Sequence, residues 1–182
     1  MGGTQTGGLS KREICRLQKH VNMPIEEIQK WHKDFKKNLV NGRQLNRENF
    51  RAVYTSMFGG DASDFADNVF RTFDRDGNGY VDFEEFLLAI YITSSNDVEL
   101  KLKWAFNMYD MDGNDSIDKH ELFSIINCAY RINGPERDIS PKELTELLFN
   151  MMDVDGNGEI SWDEFHSAAL KDRRILHFLH ME

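Results

Sequence analysis

The stretch Asp74 to Glu85, DRDGNGYVDFEE, constrains this chain more than any other. Oxygen-bearing side chains recur at alternate positions, with Asp74, Asp76 and Asn78 at one, three and five and Asp82 at nine. Gly79, at six, can take a positive φ and so allows a sharp turn. Tyr80 at seven offers its backbone carbonyl, Asp82 can act through a water, and Glu85 at twelve can lend both carboxylate oxygens. A loose shell of oxygens is what calcium takes. Val81, at eight, is apolar, as a short strand between paired loops requires. VFRTF before the loop and FEEFLLAIYI after it carry helical apolar spacing, so the unit reads helix, loop, helix. A stretch rich in Asp, Asn and Gly can also be a solvated turn. Repetition decides between the two.

The pattern returns at Asp110, 36 residues on, as DMDGNDSIDKHE. Asp110, Asp112 and Asn114 fill positions one, three and five, Ser116 seven, Asp118 nine and Glu121 twelve. Asp115 stands at six in place of glycine. Asp enters left-handed backbone geometry more readily than most residues, but a strain of about 1 kcal/mol is expected to weaken this loop several-fold. A complete loop follows at Asp153, DVDGNGEISWDE, with Asp155, Asn157, Gly158, Glu159, Ser161 and Glu164 in register. Counting 36 residues back from Asp74 lands on Asn38 and NLVNGRQLNREN. There Val40, Gly42 and Arg43 hold positions three, five and six, and Asn49 replaces the clamping glutamate. No carboxylate survives at a ligand position, yet Leu45 keeps the apolar strand residue. This first unit is expected to pair with the second and to bind no metal.

The formal charge of -9, from 31 acids against 22 bases, argues against a nucleic-acid partner. Many of the acids lie in the candidate loops. Cys15 and Cys128 show no CxxC spacing and fit a reduced, cytoplasmic protein. The N-terminus lacks the apolar core of a signal peptide, and FLLAIYI is far short of the ~18 residues a membrane span needs. Thirteen Phe and eight Met supply mostly core, although Met-rich surfaces also adapt to varied partners. The carboxylates are committed to loops and no nucleophile, base and orienter set can be assembled, so no catalysis is expected. His20, His32, His120, His166, His177 and His180 show no ligand spacing and are expected in solvent.

Residues 1–10 are rich in Gly and Thr and match the acylation pattern M-G-x-x-x-[ST], with Gly2 as the acylated residue and Thr6 as the hydroxyl. One acyl chain binds membranes only marginally, and Lys11, Arg12, Lys19 and His20 could add to it. Ser10 opens a helix with Ile14, Leu17 and Val21 on one face, and Pro24 opens a second with Ile28, Trp31 and Phe35 along a stripe. Such a stripe is either core or the wall of a groove for a partner helix. Asp61 is a candidate cap for the helix that enters the second loop. Thr93 to Asp97 reads as a linker between halves. Ser140, Pro141 and Glu143 form a capping-box sequence, and ILHFL near the end can form one more short helix, over the core or over a target groove. The chain divides into an N-terminal arm and helix (1–23), a first pair of units (24–95) and a second pair (98–182).

These motifs together resemble the neuronal calcium sensor family, the group of recoverin, neurocalcin, hippocalcin and frequenin. The resemblance spans residues 1 to about 180 and rests on Gly2, on WHKDF before a disabled first loop, and on GDAS-DFADNVFRTFD before the second. KLKWAFNMYDMDGN and the working fourth loop complete it. It implies an all-α fold of two EF-hand pairs in a compact array, bridged by Leu45 to Val81 and by Ile117 to Ile160. It further implies an N-terminal apolar groove, which here would use Trp31, Phe35, Phe50, Tyr54, Phe58, Phe86 and Ile90. In members with a calcium–myristoyl switch, calcium frees the acyl chain. This chain departs from the family in having Val40-Asn41 where Cys-Pro is usual.

The leading expectation is a cytoplasmic calcium sensor with three calcium sites, magnesium being possible at rest. Its partners would be the helix of a kinase, cyclase, channel or receptor and, through the acyl group, the membrane. A constitutive enzyme subunit resembling calcineurin B and a calcium buffer are the alternatives. A buffer should barely open on binding.

Overall fold

The computed structural model describes residues 8–37, 39, 44–58, 63–133, 139–172 and 175, without the side chains of a few helical residues, Phe58 among them. Gly2, Thr6, residues 38 and 40–43 of the first loop, Asp61 and the final ILHFL segment beyond Ile175 lie outside the described residues.

The fold is all-α, with two short antiparallel ladders. In chain order the elements are α1 (Lys11–Leu17), α2 (Ile25–Lys37), β1 (Leu45–Asn46), α3 (Arg47–Phe58), α4 (Ser63–Phe73), β2 (Tyr80–Val81) and α5 (Phe83–Ser94). There follow α6 (Val98–Tyr109), β3 (Ser116–Asp118), α7 (Lys119–Asn133), α8 (Pro141–Met152), β4 (Glu159–Ser161) and α9 (Trp162–Lys171). Helix starts follow local chemistry. Ser10 and Ser140 accept from the backbone of Glu13 and Glu143, whose side chains reach back in complete capping boxes. Pro24 stands one residue before α2, its carbonyl accepting from Ile28 at 3.1 Å.

Each ladder joins two loops. Leu45 faces Val81 and Ile117 faces Ile160, as the family resemblance implies. All four side chains are buried. The main core runs from Phe35 through Phe70, Phe106 and Ile126 to Phe165 and Ile175, so both halves share it. The halves meet where α4 packs on α6 and α7. A smaller cluster gathers Leu17, Val21, Met23, Ile28 and Leu87 between α1 and α5.

Two expectations need correction. Thr93 and Ser94 belong to α5 rather than to a linker, because their hydroxyls donate back to the carbonyls of Ala89 and Ile90 at 3.0 and 2.6 Å. Only residues 95–97 connect the halves, and Asp97 caps α6 by accepting from Leu100. His32 and His166 are not simply solvated. His32 packs edge-on against Phe83, and its burial holds its pKa down. His166 meets Glu99 at 2.6 Å, tying α9 to α6. Among the described residues, no helix is long and apolar enough to cross a membrane.

Candidate metal centres

Three carboxylate clusters form, Asp74–Asp76–Glu85, Asp110–Asp112–Glu121 and Asp153–Asp155–Glu164, each with one ligand atom per residue within 4.8 Å of the others. Short-range hydrogen bonds build each loop. In the second, Asn78 N–H donates to Asp76 Oδ1 (3.1 Å) and Tyr80 N–H to Asn78 Oδ1 (2.9 Å), turning the chain at alternate residues. The same bonds recur at Asn114 and Ser116, and at Asn157 and Glu159. Position six then points its amide at the first aspartate: Gly79 to Asp74 Oδ2 at 2.9 Å and Gly158 to Asp153 Oδ2 at 3.1 Å. Asp115 makes the same bond to Asp110 Oδ2 at 3.0 Å, and does so at φ 66°, the left-handed geometry its position demands.

The glutamate at position twelve, the candidate clamp, is held in the same way in each loop. Glu85 accepts from Arg75 and Asp76 on one oxygen and from Asp82 on the other, and Glu121 and Glu164 repeat this. Because position nine caps the helix that leaves the loop and position twelve is its third residue, the candidate metal clamp is also half of a capping box. The loops differ in what stands beside the clamp. Burial pushes the Glu85 carboxyl above its ordinary range, with the Asp82 charge adding to it. At Glu164 burial acts the same way, but the Ser161 hydroxyl and backbone amides outweigh it and hold the carboxyl low. The third site is the most enclosed, with Asp110, Ser116 and Glu121 all buried.

These residues fit a hard divalent cation. Asp74 Oδ1 is a buried carboxylate oxygen with no hydrogen-bond donor, which water or a neighbour would ordinarily supply. The all-oxygen set of carboxylates, an Asn amide and a backbone carbonyl suits calcium rather than a thiophilic metal. In the first unit, Asn46 Oδ1 still accepts from Asn49 N–H at 2.8 Å. The cap persists there after the clamp is gone.

Of the seven aromatic and aliphatic groove candidates, Phe35 and Phe50 are buried, and Trp31, Tyr54, Phe86 and Ile90 are half-buried. Phe86 lies between Trp31 (6.0 Å between ring centroids) and Phe35 (5.0 Å), whereas Phe50 faces Tyr54, Phe70 and Phe73. Trp31 and Ile90 join the cluster under α1. The side chain of Phe58 lies outside the described residues.

Sequence reasoning missed the residues that link the sites to the rest of the molecule. Arg71 of α4 donates to the carbonyls of Asn107 and Met108, beside the third loop. Burial lowers its pKa, opposed by the charges of Asp110, Glu121 and Asp112. Ser116 Oγ donates to Glu159 Oε2 at 3.0 Å, joining the third and fourth loops. Neither leaves a periodic signal, since the partners are 36 to 43 residues apart.

Comparison with known proteins agrees with this geometry. The EF-hand domain pair model matches residues 99–170 and the EF hand domain model matches residues 65–92. S-modulin of Aquarana catesbeiana is 32% identical, covering 100% of this chain and 94% of its own length. Neuronal calcium sensor 1 of Lymnaea stagnalis is 35% identical over 97% of this chain and 95% of its own. Guanylyl cyclase-activating protein 2 of Lithobates pipiens is 32% identical over 89% and 86%. With paired EF-hand loops and this likeness along its whole length, the chain belongs to the neuronal calcium sensor family.

Proposed function

We propose that this protein is a calcium-triggered switch that regulates a membrane-associated target protein. Calcium binds the second, third and fourth loops, through Asp74, Asp76, Asn78, Tyr80, Asp82 and Glu85 in the second and the corresponding residues of the other two, with magnesium as the resting ion. When bound, it supplies the positive charge that the clustered carboxylates lack. The observation that carries the reading is the place of Glu85, which is both clamp of the second loop and third residue of α5. Phe86, Leu87 and Ile90 lie within the next turns of that helix, against Trp31 and the α1 cluster. A shift of the Glu85 carboxylate therefore moves the helix that carries one wall of the apolar groove. The Arg16–Glu84 ion pair (2.8 Å) holds α1 against the same helix. Being exposed, it is weak enough to release.

Pairs 24–95 and 98–182 act as input and scaffold, the acyl group on Gly2 with the basic residues of α1 provides membrane attachment from the cytoplasm, and the target is the helix of a kinase, cyclase, channel or receptor, the cyclase being suggested by the name of the guanylyl cyclase-activating relative. Liposome co-sedimentation of protein acylated by an N-myristoyltransferase, with calcium and with chelator beside a Gly2→Ala control, tests this. Pelleting only with calcium and only with Gly2 is the expected result. Equal pelleting in both conditions would overturn the switch, and failure of calcium to increase binding of an apolar dye would turn the reading to a buffer.

A further inference from the structure

The calcium loops leave a signature at the end of the helix that precedes them. In the fourth, the amides of Val154 and Asp155 donate to Glu164 Oε1, at 2.9 and 3.4 Å, rather than to the helix ladder. The carbonyls of Asn150 and Met151, at the C-terminal end of α8, thereby lose their ladder donors. In the third loop the amides of Met111 and Asp112 are likewise drawn to Glu121 (2.6 and 3.2 Å), freeing the carbonyls of Asn107 and Met108. There Arg71 of α4 takes both, at 3.0 and 3.2 Å.

Three side chains receive α4 at that contact. Trp104 meets Phe73 edge-on with 6.4 Å between ring centroids, Met108 is buried, and the Met111 sulfur accepts from Asn68 at 3.1 Å. Trp104 and Met108 precede Asp110 by 6 and 2 residues, and Met111 follows it. At the same offsets from Asp153 stand Leu147, Met151 and Val154. They too are apolar, yet they are 48%, 40% and 80% exposed, against 5% for Met108.

We infer that Leu147 and Met151 at the end of α8, Val154 just beyond it and the carbonyls of Asn150 and Met151 together dock an amphipathic helix of another protein that presents an apolar stripe and an arginine placed as Arg71 is on α4. The packing of α4 on α6 is the template for the occupant. Charge favours it as well: a helix C-terminus carries partial negative charge, and the exposed Asp155 just beyond it adds to this while the fourth loop holds no cation. A second copy is a poor occupant. The basic residue of α8, Lys142, is in its first turn, so a symmetric contact would bring two carbonyl-rich, acidic ends together with no arginine between them. The surface is separate from the groove around Trp31 and does not rest on the calcium switch.

Fluorescence anisotropy tests it with a labelled, hydrocarbon-stapled peptide of residues 63–75, titrated with the full chain in chelator. The wild type should bind, and Leu147→Gln/Met151→Gln should weaken binding by at least about tenfold while circular dichroism shows the helices intact. Val154→Ser, at a position too exposed to threaten the fold, and Arg71→Ala in the peptide should each weaken it by about threefold. No binding to the wild type, or equal binding to the double variant, overturns the inference. So does a concentration-dependent dimer that the double variant abolishes, because it assigns the face to a second copy.

Discussion

The N-terminal and C-terminal EF-hand pairs solve the same construction problem with different means. The C-terminal pair has two complete carboxylate loops, strands of three residues and a hydroxyl-to-carboxylate bond across the ladder. The N-terminal pair has one complete loop, strands of two residues and a partner from which the carboxylates are gone. Both ladders still close, on Leu45 and Val81 in one and on Ile117 and Ile160 in the other. An EF-hand thus holds its place through an apolar strand residue and a helix cap, and ligand chemistry is a separable layer upon it.

The largest effect should come from breaking the bridges. Ile160→Ala should cost about 3 kcal/mol in urea unfolding, as truncation of a fully buried side chain does, and Leu45→Ala about as much. A neutral Leu45→Ala would show that the disabled hand is not a scaffold. Next come the clamps. Glu85→Gln, Glu121→Gln and Glu164→Gln should each lower by one the number of calcium ions that titration calorimetry counts, weakening that site by more than about tenfold. Asn49→Glu should add none, because Val40 and Gly42 still occupy ligand positions in the first loop.

A smaller effect should follow from Asp115→Gly. Asp115 holds φ 66° where the second and fourth loops have glycine, so relief of about 1 kcal/mol should tighten the third site about fivefold, read by a chelator-competition titration. Unchanged affinity would mean that the Asp110 bond already offsets the strain. The smallest expected effect concerns pH. The Glu85 carboxyl is held above its ordinary range, by burial first and by Asp82 second, whereas Glu164 is held below it. Calcium needs both ionised, so on acidification Glu85 takes its proton first and the second site should weaken before the fourth. Amide resonances of Gly79 and Gly158 in calcium titrations at stepped pH would report each site; simultaneous loss would contradict the difference.

Most of the candidate sites was legible in the residues themselves. The alternation of Asp, Asp and Asn, the turn at position six and the glutamate at twelve act within one loop, and the bonds that shape each loop span two to ten residues. The helix start at Ser10 and the capping box at Ser140 were legible for the same reason. The boundary after α5 was not, because Thr93 and Ser94, loop formers on average, spend their hydroxyls on the helix behind them. Nor was the pairing of His166 with Glu99, which lie 67 residues apart. Where Arg71 would find its partners was equally hidden.

The sequence by itself determined which loops carry a ligand set, which loop does not, and where their bridging residues fall. Short-range hydrogen bonds and a period of alternate residues encode those features, and both are local. Only the tertiary structure decided how the two pairs meet. Trp104, Met108 and Met111 share their offsets and apolar character with Leu147, Met151 and Val154, so nothing in the pattern distinguishes them. What covers the first set, Met108 fully and Trp104 and Met111 in part, is the arrival of α4 with Arg71 on its surface, and that depends on the shared core that sets one pair against the other.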